Sequence, residues 1–505
     1  MFQNIRELII NQKYVEALSA LEELQISNLE NLFFKNYLKA EIYYHLKKYS
    51  LSINYFKKSI KNNFKSASSW LYLAIIFQIK SKKIVRKIIH VLQNTESLDD
   101  ISLYDLAYLQ DQNGMFKEGI KTISKIKNAK NGSIATLLLA LKRKNGDIED
   151  CFQIIKNNKF FFDHFDFLCE ISSFFAYMED YNNALKFINK AIKINSEENK
   201  IKFLKSLYLI HLNKWKEALE LFDYRFEKLV FEKYPNNEKL WKGQNIKKLF
   251  LWSEQGLGDH ILYTKLIFEI KNVEKLYFET DIRIHELLKN YFKEKKITNI
   301  FLLDAKEKQD LNNFDAHLPC GSLLNFFNPF KLQKINYLKS YKRISFDSKS
   351  LKIGLSWKTA NTNQQFRNLP INELFNSIKN IANIEIHNLQ FGEIEDEILF
   401  AKTKNIKINI LNNISYKNDI NAIADIINSL DVVVSCQNTV AHIASAMGKR
   451  TILLLPVGNR WYWKADNKQI DMWYKNTFII KQKNIYDWSN EISQLTKKII
   501  EYGKN

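Results

Sequence analysis

Seven times in the first 235 residues an aromatic or aliphatic side chain is followed three positions later by a usually small one and four later by an aliphatic or aromatic one. The instances are Tyr14/Ala17/Leu18, Tyr49/Ser52/Ile53, Ile84/Lys87/Ile88, Phe116/Gly119/Ile120, Ile148/Cys151/Phe152, Tyr181/Ala184/Leu185 and Trp215/Ala218/Leu219, with spacings of 35, 35, 32, 32, 33 and 34 residues. Nine positions before the lead residue a second small side chain often recurs, at Ala40, Ala107, Ser172 and Ser206. A period of this length with small residues on both sides predicts antiparallel helix pairs that approach closely and stack as a solenoid. Lys87 breaks the small position of the third unit, and no unit ends in proline.

Residues 1 to about 235 resemble the tetratricopeptide repeat family on these positions, most clearly over Tyr181 to Ile194 and Trp215 to Phe222. Such an array presents a surface for a polypeptide or steadies a neighbouring domain, and assigns no chemistry by itself.

Composition narrows the remainder. At 505 residues and 46% hydrophobic the chain can bury several cores. The net charge of +20 rests on lysine, with only nine arginines among 75 basic residues. Readers of nucleic acid concentrate arginine on one face, so a solvated lysine-rich surface is the expected state, without nucleic acid as partner. Four scattered cysteines, Cys151, Cys169, Cys320 and Cys436, suggest neither a disulfide framework nor a zinc cluster. No run of 18 uncharged apolar residues occurs, and the expected location is cytoplasmic, with at most peripheral membrane attachment.

After residue 235 the rhythm changes to short β-branched runs alternating with helical stretches, as a parallel sheet covered by helices requires. Two junctions stand out: Leu249 to Trp252 running into Ser253-Glu254-Gln255-Gly256-Leu257-Gly258-Asp259-His260, and Leu430 to Val434 running into Ser435-Cys436-Gln437-Asn438-Thr439-Val440-Ala441-His442. A strand that turns at once into a helix aims free amides and a positive dipole end at one point, where anions bind. The segment from Asn328 to Ser350 reads as a hinge between two such α/β halves.

Trp252 to Asp259, Ile353-Gly354-Leu355-Ser356-Trp357, Arg367-Asn368-Leu369-Pro370, Leu389-Gln390 and Asn438 to Lys449 occur in an order similar to that of bacterial tetratricopeptide proteins with a heptosyltransferase-like glycosyltransferase domain. The resemblance covers about 245–490 and implies the GT-B fold: a helical array over 1–235, an acceptor-side Rossmann-like half over 236–345 and a donor-side half over 346–505. It also implies transfer of a sugar from a nucleotide-diphosphate donor to a protein or glycan recruited by the array. Where that family most often has Asp-Thr ahead of the helix, this chain has Gln437-Asn438 before Thr439.

Glycosyl transfer needs a base for the acceptor hydroxyl and something to hold the charge growing on the departing diphosphate. No Asp-x-Asp occurs, so no metal and no cofactor is expected, and a helix N-terminus with cationic side chains must serve. Asp259, after Gly256-Leu257-Gly258, is the candidate base, with His260 second; an N-cap is the competing reading of Asp259. Lys358, Arg367, Gln437, Asn438, Thr439 and His442 are the candidate donor-binding set, and Trp461 a candidate ring for stacking. Each has a plainer reading, as surface cation, capping group or packing aromatic. Glu254 and Gln255 receive no role. The alternative function is a non-catalytic repeat scaffold whose α/β portion binds a nucleotide sugar, or nothing, after losing catalytic groups such as the carboxylate replaced at Gln437.

Overall fold

The computed structural model describes every residue except 1, 27, 64–66, 79–81, 96–97, 129, 227–233, 235–236, 347–348, 360–366, 413, 486 and 505. Residues 364–366 of the loop before Arg367, and most of the stretch around the expected boundary at 235, therefore lie outside the described residues. The chain forms two compact units, Met1–Glu170 and Ile171–Asn505.

The first unit holds the helix pairs Gln3–Ile10 with Tyr14–Glu23, Leu29–His45 with Tyr49–Asn62, Ala67–Gln78 with Lys82–Gln93, Asp100–Gln112 with Phe116–Ile123, and Gly132–Asn145 with Ile148–Asn157. The small positions do what their size allows. Ser52 is fully buried and its Oγ donates to Ala40 O at 2.8 Å. A Cβ at Gly119 would lie 3.5 Å from Ala107 O and 2.6 Å from Leu141.

The third pair departs from the expected register. Lys87 and Ile84 are exposed, while Val85, Ile88, Ile89 and Leu92 are buried. The helix begins at Lys82, so the interior residue of the unit is Val85, not Lys87. A lysine ammonium cannot be left unpaired in an apolar seam, and the helix is set two residues away from the expected alignment.

The helix Phe165–Tyr177 crosses the division at 170, and in the second unit Tyr181–Ile194 and the pair Asn199–His211 with Trp215–Phe222 contribute to the core of the α/β portion. Leu209, Ile210, Ala218 and Phe222 share one apolar core with the first sheet, which is why compactness divides the chain near 170 although the sequence pattern changes near 235.

The strands are β1 Ile246–Trp252, β2 Val273–Thr280, β3 Ile300–Asp304, β4 Ala316–Pro319, β5 Leu351–Ser356, β6 Ile384–Asn388, β7 Ile408–Asn409, β8 Val432–Ser435, β9 Thr451–Leu455 and β10 Thr477–Lys481. They form two wholly parallel sheets, ordered β3-β2-β1-β4 and β7-β6-β5-β8-β9-β10. Each repeats the doubly wound order in which the direction of winding reverses beside its first strand, between β1 and β4 in one sheet and between β5 and β8 in the other. The central strands are buried on both faces, as parallel strands between helices are. Strands β4 and β10 escaped the sequence reading: the first is four residues long and contains His317, whose Nδ1 takes the indole N–H of Trp252 at 3.1 Å.

The segment read as a hinge is held at several points. Tyr337 and Leu338 are buried, both their amides donate to Ala446 O, and Lys339 N donates to Leu287 O. It ties the helix of one half to the helix of the other. Among the described residues no helix is long and apolar enough to cross a membrane.

Candidate active site

The two strand-to-helix junctions meet. A Cβ at Gly258, in the first turn of the helix Leu257–Ile267, would stand 3.1 Å from His442 Cδ2 and 3.9 Å from Thr439 Oγ1 on the helix Thr439–Ala446. Glycine leaves room for these two helix N-termini to approach without the His442 ring having to shift. Asp259 and His442 therefore border one mouth, at the carboxyl ends of β1 and β8.

On the side of the first sheet the loop is fixed from behind. Glu254, 5% exposed, receives a forked pair of bonds from Arg225, Nε to Oε2 at 2.7 Å and Nη2 to Oε1 at 2.8 Å, and Oε1 also takes the Gly321 amide at 2.8 Å. The guanidinium lies between the rings of Phe222 and Phe226, 4.5 and 3.9 Å from their centroids. Next to this anchor Gln255 adopts a left-handed conformation, φ +64°, which a non-glycine residue holds only when its surroundings require it.

Asp259 then caps its own helix, its Oδ2 accepting from Gly256 N at 3.3 Å. Burial pushes its carboxyl above the ordinary range and the Glu254 charge adds to this, while the Gly256 amide and the Arg460 charge pull it back. His260 turns inward: it is buried, and its Nδ1 accepts from Asp281 N at 3.1 Å and lies 3.3 Å from Thr280 Oγ1. That ring pins the end of β2, and of the two candidate bases it is Asp259 that stays at the mouth.

On the side of the second sheet Asn438 uses both ends of its amide. Oδ1 caps Ala441 N at 3.3 Å, and Nδ2 donates to Ser356 Oγ at 2.8 Å and reaches Lys358 O at 3.4 Å, stitching β8 to β5 at the point where the winding reverses. A carboxylate could not donate the second set. Gln437 Oε1 accepts from Arg460 N at 3.3 Å, while its buried Nε2 has no partner among the described residues. Thr439 opens the helix and faces Gly258.

His442 is 4% exposed, and burial pushes its pKa down to about 3, so the ring is neutral. Its Nδ1 is 2.8 Å from Tyr474 Oη. Tyr337 Oη, 3.5 Å beyond, gives its own proton to Ile261 O at 2.9 Å. The shorter contact and the better acceptor place the Tyr474 proton on the bond to Nδ1, leaving the His442 proton on Nε2, the edge beside Gly258.

The other candidates are distributed differently. Arg367 is 9% exposed, and burial together with the Arg460 charge pushes its pKa down to about 10, while Tyr462, Cys436 and Asp259 act in the opposite sense. Two arginines and one carboxylate thus converge. Lys358 is already neutralised: its Nζ lies 2.6 Å from Glu397 Oε1 and also meets Glu393 O. Trp461 packs among Trp215, Phe222, Phe330 and Trp473, with centroids 6.0 to 6.4 Å away, and its neighbours Tyr462 and Trp463 are the rings that approach His442, at 5.4 and 4.6 Å. Arg460, Tyr474 and Gln390 were missed as site residues. Arg460 could have been found as one of nine arginines lying just past a strand end.

Beside the junction, at the end of β6, opens a cleft of about 780 Å3 lined by Gln390, Phe391, Ile398, Ile410 and Tyr416, with Glu395 and Lys402 on its wall. Gln390 Oε1 joins it to the strand β5, accepting from Trp357 N at 2.9 Å and Lys358 N at 2.8 Å.

A tetratricopeptide repeat family model matches residues 36–66 and 165–198. Protein FlbA of Caulobacter vibrioides is 22% identical over 321 residues, 57% of this chain and 53% of that protein, so the chain spans about half the length of this curated relative. Among solved structures, a Thermobaculum terrenum O-GlcNAc transferase variant is 7% identical, covering 81% of this chain and 94% of its own, with a TM-score of 0.30. The E. coli ADP-heptose lps heptosyltransferase II is 9% identical, covering 51% and 99%, with a TM-score of 0.33. YrrB, a TPR protein with an unusual peptide-binding site, is 14% identical, covering 38% and 98%, with a TM-score of 0.27. The chain carries tetratricopeptide repeats and, behind them, two parallel doubly wound sheets in the glycosyltransferase-like GT-B arrangement.

Proposed function

We propose that the second half is a metal-independent, inverting glycosyltransferase that moves a sugar from a nucleotide-diphosphate donor to an acceptor recruited by the repeats. The observation that carries this reading is the convergence of Asp259, Arg367, Arg460 and His442 where two helix N-termini meet. The diphosphate lies at the start of Thr439–Ala446, met by its amides, by the two arginines and by His442 Nε2–H. The unpartnered Nε2 of Gln437 adds a buried donor. The nucleoside occupies the cleft at the end of β6, whose volume suits it and whose Glu395 can take ribose hydroxyls.

The acceptor oxygen attacks the anomeric carbon opposite the diphosphate. Asp259 takes the hydroxyl proton on the oxygen that does not cap Gly256. The bond from the anomeric carbon to the phosphate oxygen breaks with its electron pair, and the nucleoside diphosphate leaves carrying the charge that the cations and amides hold. A carboxyl raised by burial is a stronger base than one in water, which fits this task.

Titration calorimetry with ADP, UDP and GDP, beside turnover of the corresponding sugars, tests the reading. One nucleoside diphosphate is expected to bind, Arg460→Ala to weaken it by about 1–3 kcal/mol, and Asp259→Asn to keep binding while lowering turnover about 100-fold or more. Because the Asp259 pKa is raised, the acid limb of kcat/KM should fall at a pH above the ordinary carboxylate range. Saturable binding without turnover of any donor leaves the scaffold reading; no binding of any nucleotide sinks the transferase.

A further inference from the structure

From Ile42 to Thr95 the sequence holds ten lysines and one arginine and no aspartate or glutamate, in a chain with 55 acidic residues among 505. This stretch forms the helices Tyr49–Asn62, Ala67–Gln78 and Lys82–Gln93 of the first unit. It contains the one helix pair with a large residue at both close-approach positions. With the register starting at Lys82, those positions are Leu73 and Val85, both buried, where the neighbouring pairs place Ala40 against Ser52 and Ala107 against Gly119. Leu73 also lines an apolar groove between these three helices.

The groove measures about 470 Å3 and is walled by Ile60, Trp70, Phe77, Ile84 and Val91, with Lys57 and Lys87 at its rim. Both lysines are exposed, and among the described residues neither is in an ion pair. Two of its three walls are the second helices of successive pairs, Tyr49–Asn62 and Lys82–Gln93.

We propose that this groove docks an acidic polypeptide segment that inserts a large apolar side chain between Trp70 and Ile84 while its carboxylates meet Lys57 and Lys87. Charge complementarity selects the occupant. A second copy docking through the same face would bring the same lysines and be repelled. A nucleic acid has no aliphatic side chain for an apolar slot, and a single arginine in this stretch gives little to fork onto phosphate. A bilayer is engaged by apolar residues that protrude, whereas these line a concavity.

The full chain is panned against a random peptide library displayed on phage, in parallel with the double variant Lys57→Glu/Lys87→Glu. The expected result is a consensus of acidic residues around one bulky apolar residue, with the selected peptide, labelled with fluorescein, binding about tenfold or more weaker to the charge-reversed variant and weaker as salt is raised. Ile84→Ser, also at an exposed position, should weaken it without moving the far-UV spectrum or the melting temperature. No consensus, a consensus without acids, or equal affinity for wild type and the charge-reversed variant overturns the proposal. So does binding of oligouridylate or phosphatidylserine vesicles by a chain that selects no peptide.

Discussion

At the scale of single residues, Asn438 shows how one amide can serve two ends. Its oxygen caps a helix and its nitrogen bridges to Ser356 and Lys358. Asn438→Asp keeps an equally good cap but sets a carboxylate against the Lys358 carbonyl and against a serine that already gives its proton to Gln390. The expected cost is about 1–3 kcal/mol, the range for a buried polar group left without a partner, read as a lower urea midpoint. A wild-type midpoint would show that the bridge across β5 and β8 contributes nothing. The same logic separates Arg367 from Lys358: one sits beside another cation near a carboxylate, the other has been claimed by Glu397.

At the scale of elements, the last turn of the helical array reaches the loop before Asp259 through Arg225. The side chains of Arg225 and Glu254 are 2% and 1% exposed, and the pair stands directly before the strained Gln255 and the helix that carries Asp259. Glu254→Ala leaves a guanidinium buried without its fork, which typically costs about 3–5 kcal/mol. The double variant Arg225→Met/Glu254→Ala should recover part of that loss, because no buried charge then remains. Urea unfolding followed by tryptophan fluorescence measures both, and a double variant no more stable than the single one would mean the fork has value beyond charge neutralisation. The tyrosine pair Tyr337 and Tyr474 links elements in a similar way, joining the carbonyl of Ile261 behind Asp259 to the ring of His442.

Across the molecule, burial sets how stability answers to pH. His211 and His442 are each pushed down to about 3, and His285 and His387 are lowered as well, in every case with burial as the largest cause. A histidine held neutral in the folded chain but free to protonate near 6.5 once unfolded gives stability that is fully present above 6.5 and is lost as pH falls toward 3. Asp471, raised to about 7 by burial, works the other way, its folded form taking up a proton that the unfolded form releases until pH approaches 3.8. The contribution of one histidine can be isolated by substitution. His442→Gln should melt below the wild type at pH 8, having lost the Tyr474 bond, and the gap in melting temperature should narrow as pH falls from 6.5 to 4. A gap that stays constant would show that His442 protonates equally in both states.

The sequence alone determined what depends on local pattern. Helix pairs follow from a period of 32 to 35 residues, and the two mouths follow from apolar runs that break into small polar residues before a helix, because side-chain periodicity and turn chemistry act over a few residues. Asp259, Asn438 and His442 were legible for that reason. Tertiary structure alone decided which groups are paired and where their rings point: Glu397 comes from a later helix to pair with Lys358, β2 turns His260 inward, and Trp215 and Phe330 enclose Trp461. It also brought Arg460 from the loop after β9 to Asp259, 201 positions away in the numbering. Desolvation and choice of partner arise from contacts between residues distant along the chain, and no local pattern encodes them.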